Sequence, residues 1–216
     1  MNVIELFSSI DGEGKRQGFL TTFLRLHDCN IRCSYCDTLY SYGPESTFES
    51  MSVRAVADVI EQLENYRITV TGGEPLLQEP AIIELIDELT RRNARYDFNI
   101  ETNGTIIPSF HRDNVWFTYD YKTPSSLAEE AMNLDIFKVA TPADIIKFVV
   151  GSMQDLDRMD EILKTYPTDA QIFVSPVWGN IEGATIIEYM KAHNWQNVRF
   201  QLQIHKFIWD PDAKGV

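Results

Sequence analysis

All three cysteines of this 216-residue chain fall within eight consecutive positions, Cys29-Asn30-Ile31-Arg32-Cys33-Ser34-Tyr35-Cys36. Three thiolates at CxxxCxxC spacing can hold three irons of a cubane cluster and leave the fourth iron open to a further ligand. The spacing alone admits another reading. His27, two positions before Cys29, completes a nominal set of three cysteines and one histidine for structural zinc. Zinc sites normally join two separated knuckles, however, and this chain has only one. A disulfide framework fits less well. An odd count leaves a spare thiol, and positions 1–10 lack the basic start of a secretory segment, so a reducing, cytoplasmic setting is expected.

A second constellation follows about forty residues on, where Thr71-Gly72-Gly73-Glu74-Pro75 closes the strand-like run 67–71. Alone, such a segment is an ordinary turn with a proline after it. Glycines in series also lack a Cβ, so their backbone carbonyls can approach an ammonium group closely. Further residues that could build a site stand at the ends of apolar runs: Glu101, Thr102 and Asn103, then Asp120 and Lys122, then Ser175, Pro176, Val177 and Trp178.

The elements that must position these residues alternate. Apolar, β-branched runs at 20–26, 67–71, 98–101, 115–119, 145–150, 171–175 and 198–203 predict strands. Segments of helical period at 52–65, 80–92, 156–166 and 184–194 predict helices, the first with Ser52 at its N-cap. The least regular stretch, 122–144, reads as a long connection or an insertion with a short helix. Repeated β-α units predict an α/β fold, a partial (β/α) barrel with a mostly parallel sheet, made as one domain over 1–216. In that architecture reactive groups gather at the carboxyl ends of the strands. The residues named above all stand there. A formal charge of −13 argues against a stable complex with nucleic acid and lends no support to membrane-surface binding, and no apolar run approaches a membrane span.

Taken together, CxxxCxxC, Tyr35 directly before its third cysteine, and the downstream Gly-Gly-Glu-Pro resemble the radical S-adenosylmethionine (SAM) superfamily. Within it, Ile10-Asp11-Gly12-Glu13-Gly14 with Gly18, then Phe23-Leu24-Arg25-Leu26, then Cys36-Asp37-Thr38, are similar to the 7-carboxy-7-deazaguanine synthase family. The likeness continues through Glu101-Thr102-Asn103-Gly104, Lys147-Phe148-Val149-Val150 and Gln203-Ile204-His205-Lys206. Two positions depart from the family's pattern. Asp11 replaces a common Gln, and Asp120-Tyr121-Lys122 replaces a common Ser-Pro-Lys. The first puts a substrate hydrogen bond in question, the second a contact to the methionyl carboxylate or ribose.

The resemblance implies a radical SAM lyase that converts 6-carboxy-5,6,7,8-tetrahydropterin into 7-carboxy-7-deazaguanine with loss of ammonia. It implies a 4Fe-4S cluster on Cys29, Cys33 and Cys36, and SAM held by Tyr35, Cys36, Asp37, Gly72, Gly73, Glu74, Glu101, Asp120, Tyr121, Lys122, Ser175, Pro176, Val177 and Trp178. Magnesium is expected on Thr38, and the pterin on Ile10, Asp11, Gly12, Glu13, Arg25, Thr71, His205 and Pro211. A low-potential donor such as flavodoxin or ferredoxin, and a homodimer, complete the expectation. Two alternatives stay open at this level: a radical enzyme that activates a glycyl-radical protein, and a zinc-stabilised binding module without catalysis.

Overall fold

The computed structural model describes residues 1–211 and 213–216. β1 (Asn2–Ile10) and β2 (Leu20–Leu26) pair antiparallel, and β3 (Glu49–Ser50) adds to the outer side of β1. Then come α1 (Val53–Gln62), β4 (Arg67–Gly72), α2 (Glu79–Arg92), β5 (Asp97–Thr102), β6 (Val115–Lys122) and the short α3 (Ile136–Val139). The chain continues through β7 (Ile145–Val150), α4 (Met153–Thr165), β8 (Gln171–Pro176), α5 (Gly183–Ala192), β9 (Val198–Phe200) and α6 (His205–Ile208). Among the described residues the strands form one nine-stranded sheet in the order β3-β1-β2-β4-β5-β6-β7-β8-β9, parallel from β2 to β9. The ends of this order do not pair, so the barrel is partial, as the alternating elements predict.

The strand pleat sorts the side chains, because successive residues point to opposite faces. Leu24, Val70, Phe98, Ile100, Phe117, Tyr119, Ile146, Phe148 and Val174 face the helices and join Ile60, Leu85, Ile86, Leu89 and Leu156 in the core. Truncating one of these, for example Phe98→Ala, costs about 3–5 kcal/mol through lost burial and the cavity left behind. The alternate residues, among them Arg25, Thr71, Glu101, Asp120 and Lys147, line a cavity on the other face. Its floor, at the amino ends of the strands, is plugged. Arg16, only 6% exposed, pairs with Asp97 at 3.0 Å and lies 4.0 Å from the Trp116 ring centre. The Asp11 carboxylate accepts from Thr21 Oγ1 at 3.0 Å and Thr69 Oγ1 at 3.4 Å. The opening is therefore left to the carboxyl ends.

Several boundaries differ from the sequence expectation. β1 was not expected, because Asn2-Val3-Ile4-Glu5-Leu6-Phe7-Ser8-Ser9-Ile10 is mostly half-exposed beside the sheet edge and carries little of the apolar alternation of a packed strand. α4 starts at Met153, ahead of the predicted 156, since Ser152 Oγ accepts from Asp155 N at 3.3 Å and caps it. β9 stops at Phe200; the Gln201 N–H still donates to Val174 O at 2.9 Å, and its side chain exchanges bonds with the Gly14 backbone at 2.7 and 3.0 Å. The stretch 122–144 holds two single 3₁₀ turns, Pro124–Ser126 and Glu129–Ala131, followed by α3. Among the described residues no helix is long and apolar enough to cross a membrane.

Candidate active site

A cavity of about 590 Å³ opens at the carboxyl ends of the strands. Cys29, Cys33 and Cys36 line one part of its wall, each half-buried and free of any disulfide. They sit on the loop after β2, which Ser34 ties to the connection after β6 through Ser34 N to Ser126 O at 2.9 Å and Ser34 Oγ to Ser125 O. Burial pushes the Cys33 thiol up to about 11 against the opposing pull of Lys122, so a metal ligand there must first shed its proton. Among the described residues no three His, Cys, Asp or Glu side chains are gathered closely enough to share one ion. The three thiols are instead spread along one stretch of wall, a donor set that suits a multi-iron cluster. His27 is not on that wall. Its ring packs on Phe48 with centroids 4.3 Å apart, which removes the fourth ligand of the zinc reading.

The glycines at the end of β4 lie beside this loop for a steric reason. A Cβ on Gly72 would stand 2.2 Å from Leu26 O, and one on Gly73 would stand 1.9 Å from Asp28 O. Only glycine lets the strand end press against the start of the cysteine loop, where Gly73 N donates to Leu26 O at 3.2 Å and Glu74 N to Asp28 O at 2.8 Å. Both glycines line the cavity, as do Tyr35, Asp37, Asp120, Lys122, Val177 and Trp178. The Tyr35 hydroxyl donates to Val149 O at 3.3 Å. Asp120 Oδ2 receives Lys122 at 3.0 Å and Lys147 at 3.5 Å, and these cations hold the carboxyl below its usual range against the cost of burial. Asp120 Oδ1 is buried and has no hydrogen-bond partner, an orphan acceptor of the kind a bound ligand satisfies.

The same cavity is lined by the expected pterin contacts Ile10, Asp11, Gly12, Glu13, Arg25, Thr71, His205 and Pro211, and by Glu101, expected at SAM but bonded to Thr71. Arg25 Nε is held by Glu5 Oε1 at 2.6 Å, and Tyr40 donates to the same oxygen at 2.8 Å. Thr71 Oγ1 donates to Glu101 Oε2 at 3.0 Å. Burial raises Glu101 to about 7 even though Lys147 opposes the shift. Asp11 is raised to about 6, again by burial, with Arg16 opposing. A Cβ on Gly12 would stand 1.9 Å from His205 Nδ1, so this glycine makes room for the imidazole. Thr38, buried at the cavity edge, donates from Oγ1 to Asp37 Oδ1 at 2.9 Å.

Four expected cofactor contacts do not reach the cavity wall. The pleat of β6 turns Tyr121 away from Asp120 and Lys122 and into the core against Phe148, where its hydroxyl donates to Glu129 at 2.9 Å. Glu74 is fully buried, its carboxylate accepting from Leu76 N, Thr102 Oγ1 and Asn103 N between 2.7 and 3.0 Å. Ser175 is also fully buried, with an unpartnered hydroxyl, and Pro176 follows it on the pleat that carries Val174 to the helix side. The wall residues without an expected role include Lys147, Gln203 and Asn103. Lys147 Nζ reaches Glu13 Oε2 at 3.1 Å, while Gln203 Nε2 donates to Glu13 Oε1 at 2.7 Å. A lone lysine within Ile145-Ile146-Lys147-Phe148-Val149-Val150 was the signal for the first.

Residues 25–133 match the Radical SAM superfamily. The chain is 37% identical to the 7-carboxy-7-deazaguanine synthase of Clostridium acetobutylicum over 99% of its own length and 98% of that protein. The chain belongs to the 7-carboxy-7-deazaguanine synthase family. A second relative with that name, from Methanospirillum hungatei, is 37% identical over 98% of this chain and 86% of its own. In fold the chain resembles the crystal structure of QueE from Escherichia coli, with a TM-score of 0.69, 24% identity, and coverage of 93% of this chain and 92% of that one. Membership in the family implies a 4Fe-4S cluster and SAM, and it disfavours the zinc module and the glycyl-radical activator.

Proposed function

We propose that this protein is a radical SAM lyase that forms 7-carboxy-7-deazaguanine from 6-carboxy-5,6,7,8-tetrahydropterin with loss of ammonia. The observation that carries the reading is one cavity lined by three free thiols together with Arg25, Glu13, Thr71 and Glu101. The cluster and SAM, when bound, supply the one-electron, hydrogen-abstracting chemistry that a ring contraction needs. The chain's own residues hold the reactants. Cys29, Cys33 and Cys36 ligate the cluster, and Tyr35, Cys36, Asp37, Gly72, Gly73, Asp120, Lys122, Val177 and Trp178 surround SAM. Asp120 Oδ1 accepts from a SAM hydroxyl or ammonium, because a carboxylate cannot serve the methionyl carboxylate that the missing family serine would contact.

The pterin lies against Ile10, Asp11, Gly12, Glu13, Thr71, Glu101, His205 and Pro211. Glu5 holds Arg25 by Nε and leaves the two Nη groups for parallel bonds to the substrate carboxylate. Glu13 and Glu101 accept from the donor-rich ring edge. Lys147 balances their charge, and at 8% exposure it stays out of solvent. Thr38 would turn its hydroxyl from Asp37 to a magnesium ion shared with substrate oxygens, a ligand type magnesium prefers. The protein works as a cytoplasmic homodimer, one radical-SAM domain per chain, reduced by a low-potential flavodoxin or ferredoxin. Anaerobic reconstitution followed by assay with the pterin tests the activity, with 7-carboxy-7-deazaguanine as the expected product. Cys29→Ala, Cys33→Ala and Cys36→Ala should each abolish turnover and lower bound iron without unfolding the protein. Turnover retained in any of the three would remove the cluster assignment.

A further inference from the structure

Asn103, 6% exposed, follows β5 and is held from three directions. Its backbone N–H donates to the buried Glu74 carboxylate at 2.7 Å. Its Oδ1 accepts from Thr105 N at 3.1 Å and Thr105 Oγ1 at 2.7 Å, so the amide orientation is fixed by the network and Nδ2 must point the other way. There Nδ2 donates to Asn30 Oδ1 at 2.8 Å and lies 3.7 Å from Cys29 Sγ. Nothing in this arrangement serves the core, and an amide with two donors aimed at the cysteine loop requires an acceptor for each. Asn30 takes one, and the Cys29 sulfur is left for the other.

We propose that Asn103 sets the reduction potential of the cluster by donating a hydrogen bond to the Cys29 thiolate, with Glu74 and Thr105 as positioning residues that aim it. The inference rests on the cluster reading above. Hydrogen bonds to ligand sulfurs stabilise the more negative, one-electron-reduced cluster and raise its potential. The electron comes from the external low-potential donor, and no proton transfer is involved. The role also explains why Glu74 is buried beneath the cavity rather than lining it: it grips the backbone of the residue that reaches the sulfur.

The test is an EPR-monitored reductive titration of the anaerobically reconstituted holoprotein with dithionite and low-potential dyes, without SAM or pterin. Asn103→Leu keeps the approximate shape and removes the donor. At a fixed applied potential its ratio of reduced to oxidised cluster should fall about tenfold, a downshift of about 59 mV for a one-electron couple. Asn103→Asp, closer still in shape, replaces the donor by a negative charge and should shift at least as far. Thr105→Val should fall between these and wild type. Iron and sulfide content separate the two claims. A wild type that takes up no iron defeats the cluster reading, whereas fully loaded Asn103 variants that titrate with wild type overturn the role given to Asn103. Failure of both variants to load would make Asn103 an assembly residue and also overturn it.

Discussion

Lys147→Met probes the charge balance of the cavity. Methionine keeps the aliphatic length and removes the ammonium, so the change isolates the ion pairs. Breaking a buried pair by removing one partner costs about 3–5 kcal/mol, since the other charge is left uncompensated. Three carboxylates feel the Lys147 charge, and the two in direct ion pairs, Glu13 and Asp120, do not suffer equally. Asp120 keeps Lys122 at 3.0 Å, whereas Glu13 keeps only the neutral Gln203 amide at 2.7 Å. The Glu13 side chain retains 14% exposure, so cavity water relieves part of the penalty. The low end, about 3 kcal/mol, is the expected loss, and for a chain of this size it corresponds to a fall in Tm of roughly 6–12 °C. Far-UV circular dichroism melts of the apoprotein at about pH 7 measure it. Lys147 is held charged well above its ordinary range, so wild type keeps this contribution throughout and loses it only as alkaline pH passes the raised value. The double variant Lys147→Met with Glu13→Gln should recover most of the loss. A Tm change under about 2 °C, or a double variant no more stable than Lys147→Met alone, would refute the assignment of Lys147 as the counter-charge of this site.

Arg25→Lys loses the Nε bond to Glu5 and one of the two parallel Nη donors, a deficit of about 1.5–3 kcal/mol; pterin binding should weaken roughly 10–150-fold, and equal dissociation constants in the two proteins would contradict a grip on the carboxylate. Glu101 titrates at about 7 when folded, so it retains a proton that the unfolded chain releases from about 4.5 upward. Its contribution to stability therefore falls as pH rises across that window, by about 3 kcal/mol at most; Glu101→Gln should flatten the slope of stability against pH between about 4.5 and 7, and an unchanged slope would mean the carboxyl is not buried in solution. Thr38→Val should weaken the response of turnover to added magnesium while the cluster spectrum stays intact, and a wild type indifferent to both chelator and magnesium would leave Thr38 as a residue that merely orders Asp37.

The parallel sheet, its helices and the cavity at the carboxyl ends were legible because packed strands must be apolar on the helix side, and runs such as Ile145-Ile146-Lys147-Phe148-Val149-Val150 announce this. The motifs placed the cysteines, Gly72, Gly73, Arg25 and His205 on the cavity wall without help from the fold. What the sequence hid was direction. Asp120, Tyr121 and Lys122 are adjacent in a motif, yet the pleat sends Tyr121 into the core and the other two into the cavity. Glu74 looked like a ligand contact because it adjoins two glycines that are on the wall, but its carboxylate is spent on Thr102 and Asn103. β1 was missed because a strand whose inner face meets a cavity needs no apolar alternation there. The glycine roles were partly legible: absence of Cβ was the right property, but the groups brought close include the chain's own Leu26 and Asp28.

The contacts between Glu13 and Gln203, and between Gly14 and Gln201, join residues 190 and 187 positions apart. Closing so long a loop is rewarded only after the intervening sheet has formed, so the two sides of the cavity differ in how they open. The cysteine side is stitched by neighbouring strands and by Ser34, while segments 10–18 and 201–206 of the pterin side meet through these side-chain bonds and the backbone bond from Ile204 N to Gly12 O at 3.1 Å. Amide hydrogens around 10–18 and 201–206 should accordingly exchange through small local openings while those of β5 to β7 wait for global unfolding. Local openings of that kind would give a substrate a way in and a product a way out while the cluster loop stays closed.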